Sequence, residues 1–168
     1  GQAVLPAVVQ PGVHDLLTGP LQVRVREDDD GVHAAAEVQQ HVPAGEAGEW
    51  IVDPDGAIVR AALVKHYAHR SGLWQLDPQI AYLTGDSVPD GARGFRVIEQ
   101  TGVTEKALRK ALAALDCGPL EILVRGLDVD PDRLRRKLKL KGSRPLSVVL
   151  TRIGRKGVAF ICEPGVRF

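Results

Sequence analysis

Carboxylates gathered at two places, and one long run of cations, are the residues of this sequence whose spacing could serve chemistry. Asp53 with Asp55, and Asp128 with Asp130 and Asp132, are dense enough for acid–base work. Both groups flank a proline, in Asp53-Pro54-Asp55-Gly56 and Asp130-Pro131-Asp132, the pattern of a helix start. Covering exposed amides and meeting the positive end of the helix dipole is then sufficient reason for them. A third group, Glu27-Asp28-Asp29-Asp30, lacks the alternating oxygen ligands and later glutamate of a calcium loop and reads as the exposed tip of a hairpin. Cys117 and Cys162 are isolated, with no histidine at ligand spacing, so buried thiols are expected rather than a zinc site. His66 and His69 fall near the exposed rim of a predicted helix. No Gly-rich dinucleotide or phosphate loop, no Gly-x-Ser-x-Gly elbow and no His-Glu-x-x-His occurs. No catalytic residue, metal ligand or cofactor site is therefore expected in these 168 residues.

The cations are the stronger signal. Arg133, Arg135, Arg136, Lys137, Lys139, Lys141 and Arg144 stand within twelve positions that hold no acid; Arg125 precedes them, and Arg152, Arg155 and Lys156 follow. Net charge is +1, unevenly spread. Residues 1–50 hold two Lys or Arg against eight acids (−6), residues 51–120 eight against eight, and residues 121–168 twelve against five (+7). A cationic helix face beside a basic hairpin can neutralise several phosphates, the sequence-independent part of nucleic-acid binding. The competing readings are a solvated helix face and neutralisation by the acidic residues 1–50. Aromatics are only 4%, and Phe95, Phe160 and Phe168 are scattered. No base-stacking platform is expected, so phosphate and shape recognition are favoured over base readout.

The elements that must position these groups follow from periodicity. Residues 21–26 alternate apolar and polar as a strand, with a second strand candidate from Val32. A helix is predicted over 54–71, capped by Asp53 and closed at Gly72, with Ile58, Val59, Ala62, Leu63 and Tyr67 as its buried stripe. A short strand is expected at 80–83, and Pro89, Gly91 and Gly94 mark a loop and boundary. After it come a strand (95–98), a helix capped by Thr104 and ending near Leu115, a strand (120–124), a helix from Asp130 with Leu134 and Leu138 inward, and strands 146–153 and 158–162 joined across Gly154-Arg155-Lys156-Gly157. The expected fold is α/β: a β-rich segment with one helix over 1–94, then a two-layer β-α-β-α-β-β sandwich over 95–168, its helices on one sheet face and the other face open. Hydrophobic residues at 44% suffice for a core, and no run is long enough to span a bilayer. No membrane partner is expected. The chain begins at Gly1 and holds no Met, which together with the opening strand-like stretch favours a piece cut from a longer protein.

Three stretches carry a resemblance: Glu49-Trp50-Ile51-Val52-Asp53-Pro54-Asp55 with Ile58-Val59-Arg60-Ala61, the run from Leu76-Asp77-Pro78-Gln79-Ile80-Ala81 to Tyr82-Leu83-Thr84-Gly85-Asp86, and that from Arg125-Gly126-Leu127-Asp128 to Lys137-Leu138. Over about residues 48–163 the chain resembles the THUMP-like C-terminal domain of bacterial class I SAM-dependent methyltransferases. The resemblance implies a preceding SAM-binding catalytic domain, so that SAM belongs there and not to this chain. It also implies a cytoplasmic, non-catalytic accessory role that presents a structured RNA (tRNA or rRNA) to the methyltransferase domain of the same chain. The β-α-β-α-β-β order is also similar to the C-terminal domain of translation initiation factor three. A second reading is a structural module that docks on the methyltransferase domain or dimerises through its apolar sheet face.

Overall fold

The computed structural model describes residues 45–168, together with the backbone of two short antiparallel strands, β1 (Val23–Arg24) and β2 (Glu37–Val38). The acidic turn expected at 27–31 lies outside the described residues. The chain forms two compact units, Gly1–His41 and Val42–Phe168.

The elements of the second unit, in order, are β3 (Trp50–Asp53), α1 (Gly56–Arg60), α2 (Val64–Arg70), β4 (Trp74–Gln75), β5 (Leu83–Gly85), β6 (Arg93–Thr101), α3 (Glu105–Ala114), β7 (Cys117–Val124), α4 (Pro131–Leu138), β8 (Arg144–Ile153), β9 (Lys156–Cys162) and β10 (Val166–Arg167). One eight-stranded sheet runs β4-β5-β3-β6-β9-β8-β7, with β10 also paired to β6. Among the described strands only β7 and β8 pair in parallel, as the α4 crossover between them requires. From β6 to β9 the order is the β-α-β-α-β-β expected, with Thr104 as the N-cap of α3 and Asp130 of α4. The Thr104 hydroxyl accepts from the Ala107 amide at 3.2 Å. Thr104→Ala is expected to cost about 1 kcal/mol, read by urea unfolding.

Each face of the sheet is buried. Leu146 to Thr151 of β8 are all inaccessible, which a central strand covered on both sides demands. Leu146, Val148 and Leu150, with Ile122, Ala159 and Ile161, meet Leu108 and Leu112 of α3 and Leu138 of α4. The alternate residues Val149, Val158, Phe160 and Cys162, with Phe95 and Ile51, meet Leu76, Ile80 and Tyr82.

That second cluster corrects the expectation of an open apolar face: the 76–82 segment lies over it. Asp77 closes a turn there, accepting from the Gln79 amide at 2.8 Å, so 80–82 leave the strand and pairing starts at Leu83. The helix expected over 54–71 is also two helices. Asp55, not Asp53, caps α1, accepting from the Ala57 amide at 2.7 Å. The chain then passes through Ala62 at φ 55°, which turns Leu63 outward to 50% exposure. The stripe that packs is Ala68 with Val64 and Tyr67, against Val52 and Leu83. The sheet crosses position 94 without interruption, since β3 pairs with β6 from Trp50↔Arg96 to Asp53↔Arg93. The Pro/Gly stretch is a loop within the second unit, where a boundary was expected.

Candidate nucleic-acid interface

α4 is the element on which most of the cations depend. Asp130 Oδ1 accepts from the amides of Asp132 (3.0 Å) and Arg133 (3.1 Å), Pro131 opens the helix, and Leu138 anchors its far end in the core. These amide bonds hold the Asp130 carboxyl below the usual carboxylate range. At the C-terminus Arg109 of α3 donates to the carbonyls of Lys137 (2.7 Å) and Leu138 (3.3 Å), so a cation closes the last turn and ties the two helices together. Lys139 follows in the left-handed region, φ 49°.

The eleven cations singled out from sequence divide into two kinds. Four are tied to carboxylates. Arg125 lies 2.7 Å from Asp53, donates to the Ala81 carbonyl at 3.3 Å and stacks 4.7 Å over Tyr82. Arg152 donates to Gln79 at 3.0 Å and sits 3.7 Å from Asp77. Arg144 pairs with Glu163. Arg135 donates to the Leu120 carbonyl at 2.9 Å and to Asp132 at 2.6 Å. The other seven, Arg133, Arg136, Lys137, Lys139, Lys141, Arg155 and Lys156, are exposed and make no ion pair among the described residues. They do not form one patch. Arg155 and Lys156 are at the β8–β9 turn, whereas Lys139 and Lys141 lead into the start of β8, and ten residues of strand put roughly 30 Å between those ends.

Three further cations, outside the run that the sequence marks most plainly, stand beside α4: Lys106, Arg109 and Lys110 of α3. A signal for them exists, since 106, 109 and 110 lie away from the buried positions 108 and 112. Between α3 and residues 138–142 opens a cleft of about 640 Å³, with Ala113, Leu138 and Leu140 as apolar lining and Arg109, Lys139 and Lys141 as cations. Among the described residues no three His, Cys, Asp or Glu side chains group closely enough to hold a metal ion, and no helix is long and apolar enough to cross a membrane. Cys117 and Cys162 are free and buried, and burial pushes the Cys162 thiol up to about 12.

The carboxylates act on the fold. Burial raises Asp53 above the usual carboxylate range, outweighing Arg125 and Arg93 beside it. Asp77 is shifted the other way, because its carboxylate accepts from the Gln79 amide and from Gly154 of the β8–β9 turn at 2.7 Å. A depressed folded-state value contributes stability that is fully present above the unfolded value near 4 and is lost as pH falls through the folded value. Asp77→Asn is therefore expected to lose about 2 kcal/mol at neutral pH and to show a shallower acid loss than wild type, measured by urea unfolding at neutral and at acid pH.

With this geometry in view, similarity to known proteins becomes informative. The model of the family described as THUMP domain-like matches residues 92–164. Two uncharacterized S-adenosylmethionine-dependent methyltransferases from two strains of Mycobacterium tuberculosis are each 62% identical over 122 residues, covering 70% of this chain and 34% of theirs. The chain thus spans about a third of the length of the curated relatives it matches. A crystal structure of a candidate methyltransferase from Porphyromonas gingivalis superposes with a TM-score of 0.62 at 20% identity, over 73% of this chain and 31% of that one; it shares the fold.

Proposed function

We propose, since residues 92–164 belong to the THUMP domain-like family in a chain related to S-adenosylmethionine-dependent methyltransferases, that this chain is a cytoplasmic accessory module that holds a structured RNA, tRNA or rRNA, for a SAM-dependent catalytic domain. SAM binding and methyl transfer belong to that catalytic domain. The observation that carries the reading is the set of exposed cations on α3, α4 and the turn after it: Lys106, Lys110, Arg133, Arg136, Lys137, Lys139 and Lys141, none in an ion pair among the described residues. Cations so placed gain most from a polyanion, because no carboxylate must be released first. The alternative, docking through an apolar sheet face, loses its surface because Leu76, Ile80 and Tyr82 already cover that face.

The test is a titration of this chain with bulk tRNA and with ribosomal RNA fragments. Binding at ~50 mM salt that weakens at least tenfold by ~200 mM is expected from two or more phosphate contacts. Folded protein that binds neither RNA at the lower salt overturns the reading.

A further inference from the structure

Strand pairing fixes which helices share a side of the sheet. Val52 of β3 faces the same way as its partners Leu83 and Gly94, and α2 packs on Val52 and Leu83 through Ala68. On β6 the residues alternate, and Phe95 and Val97 lie with the opposite cluster, that of Phe160 and Cys162. Val52 therefore shares its face with Val148 and Ile161, on which α3 and α4 rest. All three helices stand on one side. α2 lies over β3, β5 and β4, four to six strand spacings from β7, so α2 and α4 lie roughly 20–30 Å apart.

α2 and the end of α1 bear a second set of cations, outside residues 92–164. Arg60, Lys65 and Arg70 are exposed, as are the imidazoles of His66 and His69, no acid occurs between Asp55 and Asp77, and none of these side chains makes an ion pair among the described residues. Between the two helices Ala62 holds a left-handed conformation, φ 55°, that costs a non-glycine residue about 1–2 kcal/mol. It also leaves Leu63, between Arg60 and Lys65 in sequence, half exposed.

We propose that α2, with Arg60, is a second phosphate-contacting surface, and that the partner is a double-helical segment of RNA reaching from α2 to α4. The inference rests on the RNA reading above and adds the class of RNA. A single strand would follow one groove and stack its bases on aromatic rings. Among the described residues this side of the sheet holds Tyr67, which packs on the core, and Trp50 joined edge to face with Phe168 at 5.7 Å, and no row of rings for successive bases. Two cationic helices roughly 20–30 Å apart on one side instead match two phosphate backbones read by shape.

The experiment compares wild type, Lys65→Glu/Arg70→Glu on α2 and Arg136→Glu/Lys137→Glu on α4, binding an RNA hairpin with a stem of about 16 base pairs and an unstructured RNA of equal length. At ~0.1 M salt each phosphate contact contributes roughly 8-fold. Each double variant is therefore expected to bind the hairpin roughly 60-fold more weakly, with the salt slope reduced by about 2. Wild type is expected to prefer the hairpin to the unstructured RNA. An α2 variant equal to wild type, with the α4 variant impaired, overturns the second surface and leaves the RNA reading standing. Tighter wild-type binding to the unstructured RNA overturns the duplex assignment. Binding to neither RNA, including capture only by anionic phosphatidylserine vesicles, overturns both.

Discussion

Reversing Arg133, Arg136 and Lys137 to glutamate is expected to weaken binding to a structured RNA by roughly 500-fold at ~0.1 M salt, because three contacts each contribute about 8-fold. The logarithmic salt slope should become shallower by about 3. All three side chains are exposed and lie outside the core that Leu138 joins, so far-ultraviolet circular dichroism and the unfolding midpoint should stay close to wild type. The informative control is Arg135→Glu. That side chain holds the Leu120 carbonyl at the edge of β7, so its loss should lower stability more than it lowers RNA affinity. Equal RNA affinity in the triple variant and wild type would place any RNA contact elsewhere than α4.

The second large effect concerns the segment laid over the far face of the sheet. Tyr82 is 1% exposed, packs against the Phe160 and Val149 cluster, and has the Arg125 guanidinium over its ring. Tyr82→Ala should remove about 3–5 kcal/mol, the range for truncating a large buried aromatic. For a unit of this size that corresponds to a fall of roughly 10–20 °C in Tm. Tyr82→Phe keeps the ring and should stay within about 1 kcal/mol of wild type. A loss below about 1 kcal/mol in the alanine variant, by calorimetry, would mean that residues 76–82 are not a packed cover.

Legibility in the sequence followed how local each cause was. Thr104 and Asp130 act on amides two or three residues away, and both caps, with the helices they begin, were readable. Asp53 invites the wrong cap assignment because Asp-Pro-Asp offers two caps in sequence. Tertiary partners far along the chain, Arg93 across the sheet and the Arg125 guanidinium, assign Asp53 to the strand and leave Asp55 to the helix. The same distance in sequence hid the roles of Arg125, Arg144 and Arg152, which look like free cations until Asp53, Glu163 and Asp77 arrive from elsewhere. The segment 76–82 alternates like a strand because Leu76, Ile80 and Tyr82 all face one core, yet its polar partners are side-chain and turn groups and no neighbouring strand. Conversely, Lys106, Arg109 and Lys110 were visible as a face of a well-marked helix. Their kinship with α4 came from tertiary contacts, the Arg109 bonds to the Lys137 and Leu138 carbonyls above all.

That one-sided arrangement of helices gives residues 45–168 an electrical polarity. α2, α3 and α4 together carry nine Lys and Arg against Glu105 and Asp132, a net +7. Residues 45–168 as a whole hold twenty Lys and Arg against fifteen acids, +5. What remains after the three helices is therefore −2. A body charged in this way experiences a torque in the field of a polyanion before any atom touches. If RNA is the partner, such a body is expected to approach it helices first, with a larger fraction of productive collisions. This rotation falls within the reach of a Debye length, about 10 Å at 0.1 M salt, so added salt slows arrival as well as hastening departure.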